Sequence, residues 1–191
     1  MPEILKVAGF SCSPRRGGNT DIMVQRVMEA AGQAGADVEL IRVADMMIMP
    51  CDGCLSCTET GRCHIEDDMQ RLYLKLLQAD GIVIGSPVYM GHSICGQAQV
   101  FIDRTFLLWH ERRLQNKVGV GVIASIRRGG ISGTRVINSL FLGHNMIVAG
   151  SASGLGNNPG DILNDAKALN DASAAGRRLY EIMRIMNHGL G

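Results

Sequence analysis

Aromatic residues are scarce: one Trp, three Tyr and four Phe make up 4% of the 191 residues. Any side chain that stacks on a planar ligand must come from that short list, and the eleven methionines serve as flexible core filler instead. Net charge is nearly absent too. Nineteen Lys and Arg against 18 Asp and Glu leave +1, which gives no electrostatic footprint for nucleic acid or an acidic membrane surface. No apolar stretch free of charge and glycine is long enough to span a bilayer. The segment from Met1 to Ile4 carries neither a basic region nor an apolar signal core. A cytoplasmic protein with no nucleic-acid and no membrane partner is expected.

What is present is a hydrophobic fraction of 46%, enough to bury the core of a single domain over residues 1–191. Apolar β-branched runs alternate with segments of helical period, the pattern of βα units on a parallel sheet. Strands are expected at Ile4–Gly9, Val38–Val43, Gly81–Gly85, Val118–Ala124 and Met146–Ala149. Helices are expected at about Thr20–Gln33, Asp67–Gln78, Gly96–Arg112, Ser132–Gly143 and Asp161–Met186. Right-handed crossovers then favour an α/β, three-layer α/β/α sandwich on a five-stranded parallel sheet of order 2-1-3-4-5. The second unit is irregular, because a cysteine-rich loop at about 44–66 precedes its helix. A loop that long in a compact domain is usually functional.

Directly after the first strand runs Ser11-Cys12-Ser13-Pro14-Arg15-Arg16-Gly17-Gly18-Asn19-Thr20. Main-chain N–H groups at the positive end of a helix, with Ser11, Ser13, Asn19 and Thr20 as donors, suit an anion. Arg15 and Arg16 supply countercharge. The alternative is that Asn19 or Thr20 merely caps the helix, but the turn lies at the carboxyl end of the first strand, where open α/β sheets bind ligands. The turn is neither G-x-G-x-x-G nor a P-loop, so a mononucleotide monophosphate fits best. Across the crevice, Pro87-Val88-Tyr89-Met90-Gly91 offers a stiffened chain, a stacking face and exposed amides for a planar ring. Arg127, Gly129 and Gly130, in a third glycine-rich loop, close over that ring or receive the phosphate of a nicotinamide nucleotide; an ordinary helix-starting turn explains them equally well.

Four of the six cysteines, Cys51, Cys54, Cys57 and Cys63, form C-x2-C-x2-C-x5-C. On a helix the first and third would stand about 9 Å apart along the axis. Pro50, Gly53 and Gly61 argue instead for a wrapped loop, in which closely spaced thiolates surround one cuboidal 4Fe-4S core. Zinc and a C-x-x-C dithiol are the rivals. Cys12 and Cys95 stand apart and read as small buried residues. Arg62, beside Cys63, is expected to ease reduction of a cluster if it lies close to the sulfurs.

Ser13 to Thr20, the cysteine loop, Gly85-Ser86-Pro87-Val88-Tyr89, Phe101-Ile102-Asp103-Arg104 and Arg127 to Gly130 together resemble the iron-sulfur flavoproteins of the NADPH-dependent FMN reductase superfamily. The resemblance implies a flavodoxin-like fold, FMN and a 4Fe-4S cluster, and a homodimer or homotetramer in which the cluster of one subunit lies near the FMN of its neighbour. It places the phosphate on Ser11, Ser13, Arg15, Gly18, Asn19 and Thr20, and the isoalloxazine on Pro87 to Gly91. The family often has an aromatic residue where Met90 stands. No catalytic side chain is assigned, because N5 of the flavin carries the chemistry. The donor implied is a ferredoxin-like protein or NAD(P)H binding transiently. Two further readings are an NAD(P)H-dependent FMN or quinone reductase without a cluster, and a flavodoxin-type electron carrier.

Overall fold

The computed structural model describes residues 4–189. Five strands, β1 (Lys6–Ser11), β2 (Asp37–Arg42), β3 (Gly81–Tyr89), β5 (Val118–Ser125) and β6 (Ile147–Leu155), pair in parallel in the order β2-β1-β3-β5-β6. That is the expected 2-1-3-4-5 arrangement. A two-residue strand, β4 (Ser93–Ile94), folds back antiparallel on the end of β3. Sequence reasoning missed β4, because its chain reversal depends on positive φ at both Met90 (56°) and Gly91 (75°).

Side chains alternate across the pleat. Val7, Val83, Val118, Val120 and Val122 meet α1 (Asn19–Ala34) and α7 (Ala166–Gly189) on one face. Phe10, Ile82, Ile84 and Ile123 meet α3 (Met69–Gln78), α4 (Gly96–Arg104) and α6 (Gly130–Gly143) on the other. Burial on both faces explains why these strands read as unbroken apolar runs. Helices α1 and α7 come very close at Gly176, where an added Cβ would stand 2.2 Å from the Val27 carbonyl oxygen.

Several boundaries differ from expectation. Strands β3 and β6 run past Gly85 and Ala149, because parallel pairing continues through Ser86↔Ile123, Pro87↔Ala124 and Ser153↔Ile123 despite their turn-like composition. The long helix expected over Gly96–Arg112 breaks into α4 and α5 (Phe106–Trp109). At the break, the Thr105 hydroxyl donates to the Ile102 carbonyl at 2.7 Å, competing with the main chain as threonine often does. The last helix likewise starts late, since Asp161–Asn164 forms a 3-10 turn and the Asp165 carboxylate accepts the Ala168 N–H at 3.0 Å to begin α7. The cysteine segment contains one short helix, α2 (Ser56–Thr60), between stretches of loop. No described helix is long and apolar enough to cross a membrane.

Candidate functional site

The carboxyl ends of β1, β3, β5 and β6 open onto a cleft of about 100 Å³. Ser13, Arg15, Asn19, Thr20, Pro87, Val88 and Tyr89 line it, which brings together half of the residues the sequence singled out for cofactor binding. The others surround it. Ser11 lies underneath, Gly18 begins the helix, and Met90, Gly91, Arg127, Gly129 and Gly130 form the rim without lining the cleft. Ala124, Ser125, Ile126, Gly156 and Asn157 also line it. Apart from Ile126, which opens the loop of Arg127 to Gly130, sequence reading passed over these, although Gly156-Asn157-Asn158-Pro159-Gly160 is a polar turn at the end of a strand.

A web of hydrogen bonds knots the turn after β1. Ser11 donates its hydroxyl to Asp21, in the first turn of α1, and Asp21 also accepts the Gly17 N–H at 2.8 Å and pairs with Arg42. Arg42 in turn donates to the Ser13 carbonyl at 3.1 Å. The Ser11 hydroxyl is therefore committed to the fold. The Asn19 amide is committed too: it donates to the Asn158 carbonyl at 2.9 Å and accepts the N–H groups of Gly160 at 3.0 Å and Ile162 at 3.2 Å. Arg15 reaches the same loop, donating to the Asn157 carbonyl at 2.9 Å. No side chain caps α1, so main-chain donors of its first turn stay available to an anion. Thr20 is buried and makes no side-chain hydrogen bond among the described residues. Arg16 points away and pairs with Asp45.

The two rim loops are packed together. Gly129 has φ of 102°, and a Cβ there would meet Val88 at 2.5 Å and the Gly91 main chain at 3.0 Å. Only glycine lets the loops approach this closely. Tyr89 is half exposed beside them, and burial, reinforced by Cys95 and opposed by Arg15, raises its hydroxyl pKa and keeps it a donor. Met90 stands fully in solvent at the turn tip.

In the cysteine segment Gly53, Leu55 and Gly61 all have positive φ, giving the wrapped chain expected. Carboxylates on the far side tie the segment down: Asp68 accepts the Met47 N–H and Asp67 the Met49 N–H. Cys57 and Cys63 pack against the core under α4, while Cys51 and Cys54 face solvent. Burial raises the Cys57 pKa, and Cys63, Cys54 and Cys51 raise it further. The other three sulfurs thus lie within electrostatic reach of Cys57, and a bound cationic centre would favour its thiolate. Among the described residues no three of the four approach within 4.8 Å, the spacing a single ion needs; the trio that does is Asp52, Cys54 and His64.

Arg104, at the end of α4, lies against this segment with its side chain 1% exposed. Its guanidinium holds Asp67 through two hydrogen bonds of 2.6 and 3.1 Å, donates to the Met49 carbonyl at 2.7 Å, and points one N–H at Cys63 Sγ, 3.5 Å away. Its Nε–H is buried with no partner. Burial opposes the charges, yet their mutual hydrogen bonds hold Arg104 above and Asp67 below their ordinary pKa values. Arg62 was the cation expected at these sulfurs; it is exposed, and Arg104 occupies the place instead.

A small anion-ready cleft over the carboxyl ends of a 2-1-3-4-5 parallel sheet defines a flavodoxin-like α/β protein. RosB, solved with a bound 8-demethyl-8-formylriboflavin-5'-phosphate, shares this fold at a TM-score of 0.77 and 18% identity, over 96% of this chain and 81% of its own. The WrbA-like protein from Agrobacterium tumefaciens does so at 0.67 and 20%, over 95% and 98%. Residues 5–159 match the model of the NADPH-dependent FMN reductase family. An iron-sulfur flavoprotein of Methanocaldococcus jannaschii is 37% identical, covering 95% of this chain and 99% of that one, and an iron-sulfur flavoprotein of Methanosarcina thermophila is 31% identical over 95% and 97%. The chain belongs to this family, among its iron-sulfur flavoproteins, and is a flavin oxidoreductase by class.

Proposed function

We propose that this protein transfers electrons between FMN and a 4Fe-4S cluster. The FMN phosphate sits on the uncapped start of α1, against Ser13, Arg15 and Thr20, and the ring lies across Pro87 to Gly91 and the Arg127 to Gly130 loop. The cleft, of about 100 Å³, is too small to enclose a whole FMN, so the phosphate enters it and the ring extends from Pro87–Tyr89 onto the rim. FMN takes or gives one or two electrons and the cluster moves one at a time, so together they split or merge electron pairs. The chain's own task is to bind, orient and tune.

Cys51, Cys54, Cys57 and Cys63 hold the cluster. The observation that carries this reading is the buried Nε–H of Arg104, unpartnered among the described residues, on a guanidinium whose Nη2 reaches Cys63 Sγ. Such a donor is costly unless an acceptor arrives, and thiolates or inorganic sulfides supply one. A ferredoxin-like protein or NAD(P)H delivers the electrons in the cytoplasm, and a homodimer or homotetramer sets the cluster of one subunit near the FMN of the next.

Anaerobic purification with flavin, iron and sulfide analysis tests the proposal. Expected are FMN and four iron with four sulfide per chain, with iron but not FMN lost in Cys54→Ser. Zinc-loaded, iron-free protein refutes it. That outcome belongs to the second reading, a single divalent ion, which the close approach of Asp52, Cys54 and His64 favours. Stopped-flow mixing with NADH and NADPH separates a reductase, whose flavin bleaches quickly, from a ferredoxin-fed carrier.

A further inference from the structure

We infer that Arg104 and Asp67 together set the reduction potential of the cluster, acting as a buried cation and its counterweight at Cys63. The inference rests on the four-cysteine assignment above and concerns what tunes the centre. Three observations on Arg104 converge. Its guanidinium N–H meets Cys63 Sγ at 3.5 Å, its charge is almost wholly removed from solvent, and a second N–H on the same group lacks an acceptor. Among the described residues no comparable donor serves the exposed sulfurs: Cys54 Sγ has the Ser56 hydroxyl at 3.2 Å.

The sign follows from charge. Reduction adds one electron to the cluster and moves no proton in this scheme, so the reduced form is more negative by one unit. Hydrogen bonds from a cation favour the more negative form, and fewer or weaker ones disfavour it. Little water is present to screen the effect. Asp67, hydrogen-bonded to the same guanidinium, offsets part of the positive charge. Removing the cation must therefore make the cluster harder to reduce, and removing the carboxylate must make it easier. A side chain that only held the loop in place could not produce opposite signs.

The placement of Arg104 links it to the flavin side. Helix α4 begins directly after Cys95, whose N–H donates to Ser86 at 3.0 Å on the strand that carries the ring loop, and ends at Arg104. The Tyr73 hydroxyl fixes that end by donating to the Arg104 carbonyl at 2.9 Å. The main chain at Arg104 is thus fixed by the core, while its guanidinium is oriented by Asp67 and the Met49 carbonyl.

The test is an anaerobic redox titration of the holoprotein with dithionite as electron source, following the cluster by electron paramagnetic resonance and the FMN by absorbance. At the wild-type cluster midpoint, Arg104→Gln is expected to lower the ratio of reduced to oxidised cluster at least tenfold, which is 59 mV for a one-electron couple. Asp67→Asn is expected to raise the ratio, Arg104→Lys to fall between wild type and Gln, and the FMN midpoint to stay in place. Should Arg104→Gln not accumulate as folded protein, the opposed shifts of the Lys and Asn variants decide the matter. Unchanged cluster midpoints, or shifts of one sign in both Arg104 and Asp67 variants, overturn the role of this pair. A wild-type protein that takes up no iron and sulfide on reconstitution overturns the cluster assignment and this inference with it.

Discussion

Replacing Asn19 with Ala separates holding the cleft from holding the ligand. Asn19 sits in a stretch that reads as a phosphate turn, yet its amide makes three hydrogen bonds to the loop after β6, at Asn158, Gly160 and Ile162. Each is worth about 1 kcal/mol net, so the truncation costs about 3 kcal/mol. The donor left behind at Ile162 belongs to a residue with 0% exposure, which keeps the loss at the upper end. In a chain of this length 3 kcal/mol lowers Tm by about 6–12 °C. The assay is thermal unfolding of the flavin-free protein, so that bound ligand does not add to the stability. Thr20→Val is the contrast: it removes a hydroxyl with no partner in the fold, leaving Tm nearly unchanged while flavin affinity falls about ten- to hundredfold, the worth of one hydrogen bond to a charged group. An Asn19→Ala protein that melts with wild type but no longer retains FMN refutes this division of labour.

Gly176→Ala improves helix propensity by about 1 kcal/mol, but its Cβ lands 2.2 Å from the Val27 oxygen. A net loss of about 1–3 kcal/mol is therefore expected in urea unfolding, and a more stable protein would contradict the packing. His144 is buried with Nε2 at 3.0 Å from the Thr105 hydroxyl, and burial depresses its pKa. The unfolded chain takes up that proton near pH 6.5, while the fold resists it until lower pH. This contribution to stability is complete above about pH 6.5 and wanes as pH falls toward the folded pKa. His144→Gln should flatten the acid side of the stability profile, and an unaltered slope excludes His144 as its source. Gly129→Ala strains a φ of 102° and drives the two rim loops apart; weaker FMN binding, measured by flavin fluorescence, is the expected outcome.

The sheet order was legible because parallel strands buried on both faces leave unbroken runs such as Val118 to Ala124, and glycine turns punctuate them. Ends were harder to read. Ser86 and Pro87 look like loop, and nothing local reveals that neighbouring β5 carries their pairing onward. The break at Thr105 depends on one hydroxyl choosing a carbonyl three residues back. At the cleft, residue types pointed to an anion turn, but the partners of Asn19 lie 139 to 143 residues away. The cysteine loop gave the same lesson: Arg62 adjoins Cys63 in sequence, while the cation that reaches the sulfur, Arg104, is 41 residues distant. Spacing reveals which chemistry gathers, and long-range contacts decide which side chain serves it.

The cysteine segment contributes no strand to the sheet, and its incoming limb is moored by two carboxylates, Asp67 and Asp68, at Met49 and Met47. Loss of the proposed cluster would therefore leave the five-stranded sheet and its helices standing. A scaffold that folds without the centre it is proposed to carry is one the centre can enter after folding, and enter again if it is lost.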